Sequence, residues 1–227
     1  MKTRFIIATR ENQNSFFSKT ATGRSISPLL NLQKIEVQLF PENTQGLPAV
    51  YNSAIRNAIG NPANLVFMHD DVHILDYFIA QRIEEGLTVF DVIGVAGNQR
   101  RVDRQPAWAF VDEQLSWDSS DYLSGTVAHG KTFPPRQVAH YGPSRQKVKL
   151  LDGVLLAIRF EVLAKHQYLF DEQFDFHFYD MDFCRQAEIY NLNCGTWDIA
   201  IMHESGGAFG NDEWQLNYQR YIEKWKT

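Results

Sequence analysis

Leu65-Val66-Phe67-Met68-His69-Asp70-Asp71-Val72-His73-Ile74 carries the strongest structural signal in the chain. Its opening run of apolar residues, closed by polar ones, reads as a strand buried on both faces. His69, Asp70 and Asp71 follow at the strand's carboxyl end, the edge where ligands sit in open α/β sheets. Adjacent carboxylates repel, and burying them unpaired is costly. A divalent cation would remove that cost; a solvated turn, in which Asp makes local hydrogen bonds, would avoid it.

Upstream, residues 5–9 read as a short apolar strand ending in Thr9-Arg10-Glu11-Asn12. Residues 35–40 alternate apolar and polar and read as a second strand. The Ser- and Thr-rich segment 13–28 reads as a loop carrying at most a helix. Val50, Tyr51, Ala54, Ile55 and Ala58 have helical spacing, which predicts a helix over 47–60 closed by Gly60 and Pro62. Downstream, a helix over 76–86 with Asp76 as its N-cap leads to a fourth strand at 90–96. Strands alternating with helices predict an α/β fold with a mainly parallel central sheet.

Composition bounds the rest. The 227 residues, 44 % of them apolar and 22 % charged, suffice for one large domain with a full core or for two small ones. A net charge of -5 argues against nucleic acid as a partner. Cys184 and Cys194 offer neither a disulfide framework nor zinc spacing, and free thiols in a reducing compartment are expected. No apolar run has the length of a membrane span. The apolar segment at residues 5–8 is too short for a signal-peptide core. These features predict a soluble cytoplasmic protein, and peripheral membrane contact is compatible with them.

Residues 99–147 contain few apolar runs and read as long loops with a hairpin around 108–117, a pattern common in binding loops. Arg100, Arg101, Arg104, Arg136, Arg145 and Lys147 suit either a solvated charged face or phosphate oxygens. Order returns at 148–158, interrupted by Asp152-Gly153, then in helices at 160–166 and 179–190 and a strand at 193–201. In a final helix over 212–226, Trp214, Tyr218, Tyr221 and Trp225 share one face, for packing on the core or on a partner.

His69-Asp70-Asp71, Asp152, Asp180 with Asp182, and His203 thus lie at strand ends or helix starts. A parallel sheet would bring several of them to one edge. Carboxylates with imidazole suit Mn²⁺ or Mg²⁺ better than a cysteine-rich site would. A remaining carboxylate can serve as general base. Asp180 and Asp182 also suit a purely structural role, since acids in a first turn favour the helix dipole.

Gly46-Leu47-Pro48-Ala49-Val50-Tyr51-Asn52 followed by Leu65 to Val72 resembles the nucleotide-sugar half of the GT-A glycosyltransferases. Those enzymes carry an Asp-any-Asp metal motif at that strand's end. Phe170-Asp171-Glu172, with Tyr179-Asp180-Met181-Asp182-Phe183-Cys184-Arg185, resembles the acceptor half of family-2-like members, in which Glu-Asp-any-Asp precedes a helix. The resemblance spans roughly residues 5–207. Two positions depart from it: His69 stands for the first metal-motif Asp, and Tyr179 for the Glu before the base.

The resemblance implies a GT-A-type, Rossmann-like three-layer sandwich as one domain over 1–227. Residues 1–98 would bind a nucleoside diphosphate sugar, and residues 99–227 would form the acceptor half and the C-terminal helix. Thr9, Arg10 and Glu11 would lie near the base or ribose, Asp70 near the ribose or sugar, and Asp152 in the acceptor pocket. Asp71 and His203 would hold Mn²⁺ or Mg²⁺, and Asp180, or alternatively Asp182, would be the base for a carbohydrate or other hydroxyl acceptor. Trp108 and Trp117 would stack on sugar or pack in loops. Two other classes suit similar residues. A Mg²⁺-dependent nucleotidyltransferase usually needs a Gly-rich phosphate loop, which Ala8-Thr9-Arg10-Glu11-Asn12 lacks; a non-catalytic nucleotide-sugar-binding module would show binding without turnover.

Overall fold

The chain begins with β1 (Thr3–Ala8), buried along nearly its whole length. The structure, a computed structural model, describes residues 1–32 and 34–226. Two short helices follow, α1 (Gln13–Lys19) and α2 (Ala21–Ile26), capped by the side chains of Asn12 and Thr20, so the 13–28 segment holds two helices where a loop with at most one was expected. Next come β2 (Ile35–Phe40), α3 (Leu47–Asn57), β3 (Asn64–Met68) and β4 (Val72–Ile74). Helix α4 (Ile79–Val89) starts after the predicted position, because Asp76 closes a turn onto Phe78 N instead of capping the helix.

The predicted fourth strand is two, β5 (Val92–Gly94) and β6 (Ala96–Asn98). After a long loop come β7 (Leu123–His129) and β8 (Gln137–Gly142). The 148–158 run divides into β9 (Lys147–Val148), β10 (Leu150–Leu151) and β11 (Leu155–Arg159). Helices α5 (Phe160–His166) and α6 (Tyr179–Ile189) precede β12 (Cys194–Thr196), β13 (Ile201–His203) and α7 (Asp212–Trp225). No helix among the described residues is long and apolar enough to cross a membrane.

The main sheet has the order β2-β1-β3-β11-β5-β12-β9, and the second runs β10-β6-β7-β13-β4 with β8 on β7. The α/β expectation holds, but the main sheet is mixed. β1, β2 and β3 are parallel, as are β5 and β12, whereas β11 runs antiparallel to both β3 and β5 and β9 antiparallel to β12. The reversal follows from the Asp152-Gly153 break. The chain enters β11 at the carboxyl end of β3, so Leu155 pairs with Met68 and Arg159 with Asn64. Asp152 is thereby delivered to the edge that carries His69.

Short connections of one to four residues hid the division into two sheets. β5 to β6, β9 to β10 and β12 to β13 each pass from the main sheet to the second, and only the first of these crossings is buried throughout. The loop after β6 is tied down by Asn98, whose buried amide donates to Trp108 O and to Asp118 Oδ2. One apolar core runs through both halves. At its centre Phe67 meets Phe170 edge-on at 4.9 Å, and Phe170, Phe183 and Tyr168 stack at 4.2 and 4.1 Å. This column fixes α6 against β3. Asn52 completes the join: its amide donates to Phe170 O and accepts from Phe170 N, both at 2.9 Å. The aromatic face of α7 packs inward, with Trp214, Tyr218 and Tyr221 around Phe178. Both cysteines are buried and free.

Candidate active site

β3 and β13 end at the same edge, and their continuations are bonded to each other: Glu204 N donates to Asp71 O at 3.0 Å. Thr22 of α2 clamps the turn from beneath. Its hydroxyl lies 2.7 Å from His69 O and 2.8 Å from Val72 O and accepts from Val72 N, while its own N–H donates to Asp70 O. These bonds gather His69, Asp71 and His203, whose ligand atoms lie within 4.8 Å of one another. His203 Nε2 is 3.2 Å from Asp71 Oδ1 and 3.0 Å from Ser205 Oγ.

These residues fit a divalent cation. Asp71 Oδ1 is shut away from solvent and lacks a well-aligned hydrogen bond among the described residues, the state of an atom that a cation completes. Burial works to raise the Asp71 carboxyl, but the His203 and His69 imidazoles and the Ser205 hydroxyl outweigh it and hold it far below the ordinary carboxylate range. Burial opposes the charged form of His203, and Asp71 overcomes it to lift that imidazole.

Asp180 sits at the start of α6. Its Oδ2 accepts from Gly153 N at 2.9 Å and its Oδ1 from Met181 N at 2.8 Å. Burial, and then the charge of Asp152, push its carboxyl up to about 7, so near neutrality it can take up and release a proton. Asp152 anchors its own turn by accepting from Val154 N at 3.0 Å. Its field reaches His69, His203 and Asp180 alike.

Thr9 is buried at the end of β1, with its hydroxyl on the Asp70 carboxyl. Burial raises Asp70 more than Thr9 lowers it. Arg10 is exposed beside it, and Glu11 pairs with Lys19 at 3.3 Å. The parallel pairing of β1 with β3 brings these residues to the same edge as His69.

Asp182, the alternative to Asp180 as base, has the surroundings of a structural residue. Two positions along a helix face nearly opposite ways, and Asp182 is fully buried towards α7. Lys224 Nζ at 2.6 Å and Trp225 Nε1 at 2.8 Å take its Oδ1, and Gln186 Nε2 at 2.7 Å takes its Oδ2. The phosphate role offered for the basic loop residues is likewise reduced. Arg100 binds Asp118, Arg101 Glu188, Arg104 Glu113 and Arg145 Asp198. Trp108 is buried and meets Tyr141 edge-on, whereas Trp117, 57 % exposed, stacks on Tyr141 at 5.8 Å.

Sequence reasoning missed Thr22, Asn52 and the contact of His69 with Tyr179, whose hydroxyl lies 2.9 Å from His69 Nε2. The Thr20 N-cap was a usable signal for the first. The other two act across the fold and leave no local pattern.

None of the curated proteins compared with the chain matches it. Among solved structures, S. aureus TarS 1-349 is 15 % identical with a TM-score of 0.51, over 98 % of this chain and 64 % of that one. A197 from STIV is 12 % identical with a TM-score of 0.51, over 93 % and 98 %. GalNAc-T7, solved with UDP, GalNAc and Mn²⁺, is 11 % identical with a TM-score of 0.53, over 98 % and 48 %. The chain thus spans less than two thirds of the TarS fragment and about half of GalNAc-T7. At such identities the likeness is one of fold, the GT-A type. Residues 6–203 match the model of the "Glycosyltransferase like family". The match runs from β1 to His203, takes in both sheets and all three corners of the imidazole–carboxylate cluster, and establishes that the chain belongs to this glycosyltransferase family.

Proposed function

We propose that the protein is a metal-dependent inverting glycosyltransferase that moves a sugar from a nucleoside diphosphate sugar to an acceptor hydroxyl. The observation that carries this reading is a convergence. Three side chains able to hold a cation lie at one edge, and beside them Asp180, a carboxyl pushed up to about 7, is held by Gly153 of the turn that Asp152 opens.

Asp71 and His203 would hold Mn²⁺ or Mg²⁺. When bound, such an ion supplies positive charge to the leaving diphosphate. Thr9, Arg10, Glu11 and Asp70 line the side that takes the nucleotide and its ribose. Asp152 borders the acceptor, and Trp117 offers it an exposed aromatic face. Asp180 accepts the acceptor's hydroxyl proton while that oxygen attacks the anomeric carbon and the bond from carbon to phosphate oxygen breaks. A single displacement inverts that carbon. Asp182 has a structural role.

The test is incubation with a panel of nucleotide sugars and simple glycoside acceptors in Mn²⁺ or Mg²⁺, with the product anomer read by NMR. Transfer with inversion, lost in Asp180→Asn and in EDTA, is expected. Binding of the nucleotide sugar with no product after long incubation would identify a non-catalytic binding module instead.

A further inference from the structure

His69 and Tyr179, the two departures from the resembled motifs, touch each other: His69 Nε2 lies 2.9 Å from the Tyr179 hydroxyl. A phenol has one proton to give. Tyr179 gives it to Gly153 O at 2.8 Å, and turning it away would strip a buried carbonyl of this donor. The phenol oxygen therefore faces His69 as an acceptor, and the bond requires the ring proton to sit on Nε2. Nδ1 is then bare. It lies 4.0 Å from Asp71 Oδ1, and His203 Nε2 lies 3.2 Å from the same oxygen. Donors held about 2.1 Å from one ion stand about 3.0 to 4.2 Å apart as the angle between them opens from right to straight. Both separations fall in that range. The Tyr179 side chain is 2 % exposed, so its hydroxyl has little freedom to leave.

We infer that Tyr179 is a positioning residue for the metal centre: it fixes His69 as the Nε2–H tautomer and so makes Nδ1 the third donor beside Asp71 and His203. The resulting set of two imidazoles and one carboxylate favours a first-row transition ion over Mg²⁺. Imidazole nitrogen suits those ions, whereas Mg²⁺ takes oxygen ligands and sheds water reluctantly. The inference rests on the metal-dependent reading above and gives its metal site a third ligand and a preference.

The test uses the full chain without nucleotide sugar. In ¹⁵N–¹H spectra of the metal-free protein, His69 is expected as the Nε2–H tautomer; an Nδ1–H tautomer overturns the inference. Calorimetric titration is expected to rank Co²⁺ above Mn²⁺ and both above Mg²⁺, and a preference for Mg²⁺ overturns it. Tyr179→Phe is expected to weaken Mn²⁺ binding about 10- to 100-fold, and His69→Ala with Tyr179→Phe to bind no more weakly than His69→Ala alone. Unchanged affinity in Tyr179→Phe, or additive losses in the double variant, would show a merely structural tyrosine. Should Tyr179→Phe not fold, the wild-type tautomer and the ion ranking still decide. Absence of sugar transfer would count against the transferase reading and leave these measurements untouched.

Discussion

Gly153 N donates to Asp180 Oδ2 at 2.9 Å, so the turn that reverses the chain into β11 also holds the proposed base. The approach leaves no room for a side chain. A Cβ on Gly153 would fall 2.4 Å from the Tyr179 hydroxyl and 3.0 Å from Asp180 Cβ. Gly153→Ala is expected to cost about 1–3 kcal/mol of stability and to lower kcat at least tenfold at temperatures where the fold persists. Thermal unfolding and turnover measured on one preparation check both.

The pH profile should carry the mark of Asp180. Its carboxyl is raised to about 7 by burial and by Asp152, and a base works when deprotonated. The acidic limb of kcat/KM is therefore expected to rise with pH through about 7. Asp152→Asn removes a negative charge that disfavours ionisation, so the limb should move to lower pH. A limb that stays or moves upward would separate Asp180 from the rate.

Asp180 and Asp182 should part company under mutation. Asp180→Asn is expected to keep the fold and lose about 100- to 10,000-fold in kcat, the usual range for a general base. Asp182→Ala leaves Trp225 Nε1 and Gln186 Nε2 without this acceptor and Lys224 Nζ with Asp171 alone. It should cost about 2–4 kcal/mol of stability, with activity near normal in the protein that stays folded. Urea denaturation beside turnover separates the two.

Thr22 offers a test through the backbone of the turn that carries His69 and Asp71. Thr22→Val keeps the shape but removes the acceptor for Val72 N and the hydroxyl that reaches His69 O. A loss of about 1–3 kcal/mol is expected. The Tm gain on adding Mn²⁺ should also shrink, because that gain reports binding to the native state.

The sequence exposed most of the candidate site's titratable residues and less of the wiring between them. Asp71, Asp152 and His203 stood out because each interrupts or ends an apolar run, where a charge without a purpose is costly, and Asp180 because it opens a helix. The choice between Asp180 and Asp182 was not legible, since their spacing says nothing of which face α7 covers. The mixed sheet was hidden for a related reason. A short apolar run shows that a strand is buried but not which way it runs or which sheet it joins. His69 with Tyr179 and Asn52 with Phe170 are contacts between distant segments, and one sequence gives neither partner a local signature.

The antiparallel β11 has a bearing on how the molecule comes into being. It separates β3 from β5, so residues 1–98 cannot close their own sheet, and the strand they lack is made much later in synthesis. Non-local pairing of this kind forms slowly. The nascent first half must wait with two strand edges open. When β11 docks, it joins β3 to β5 and brings Asp152 and Gly153 to His69 in the same step, so the candidate site is assembled by the act of folding itself.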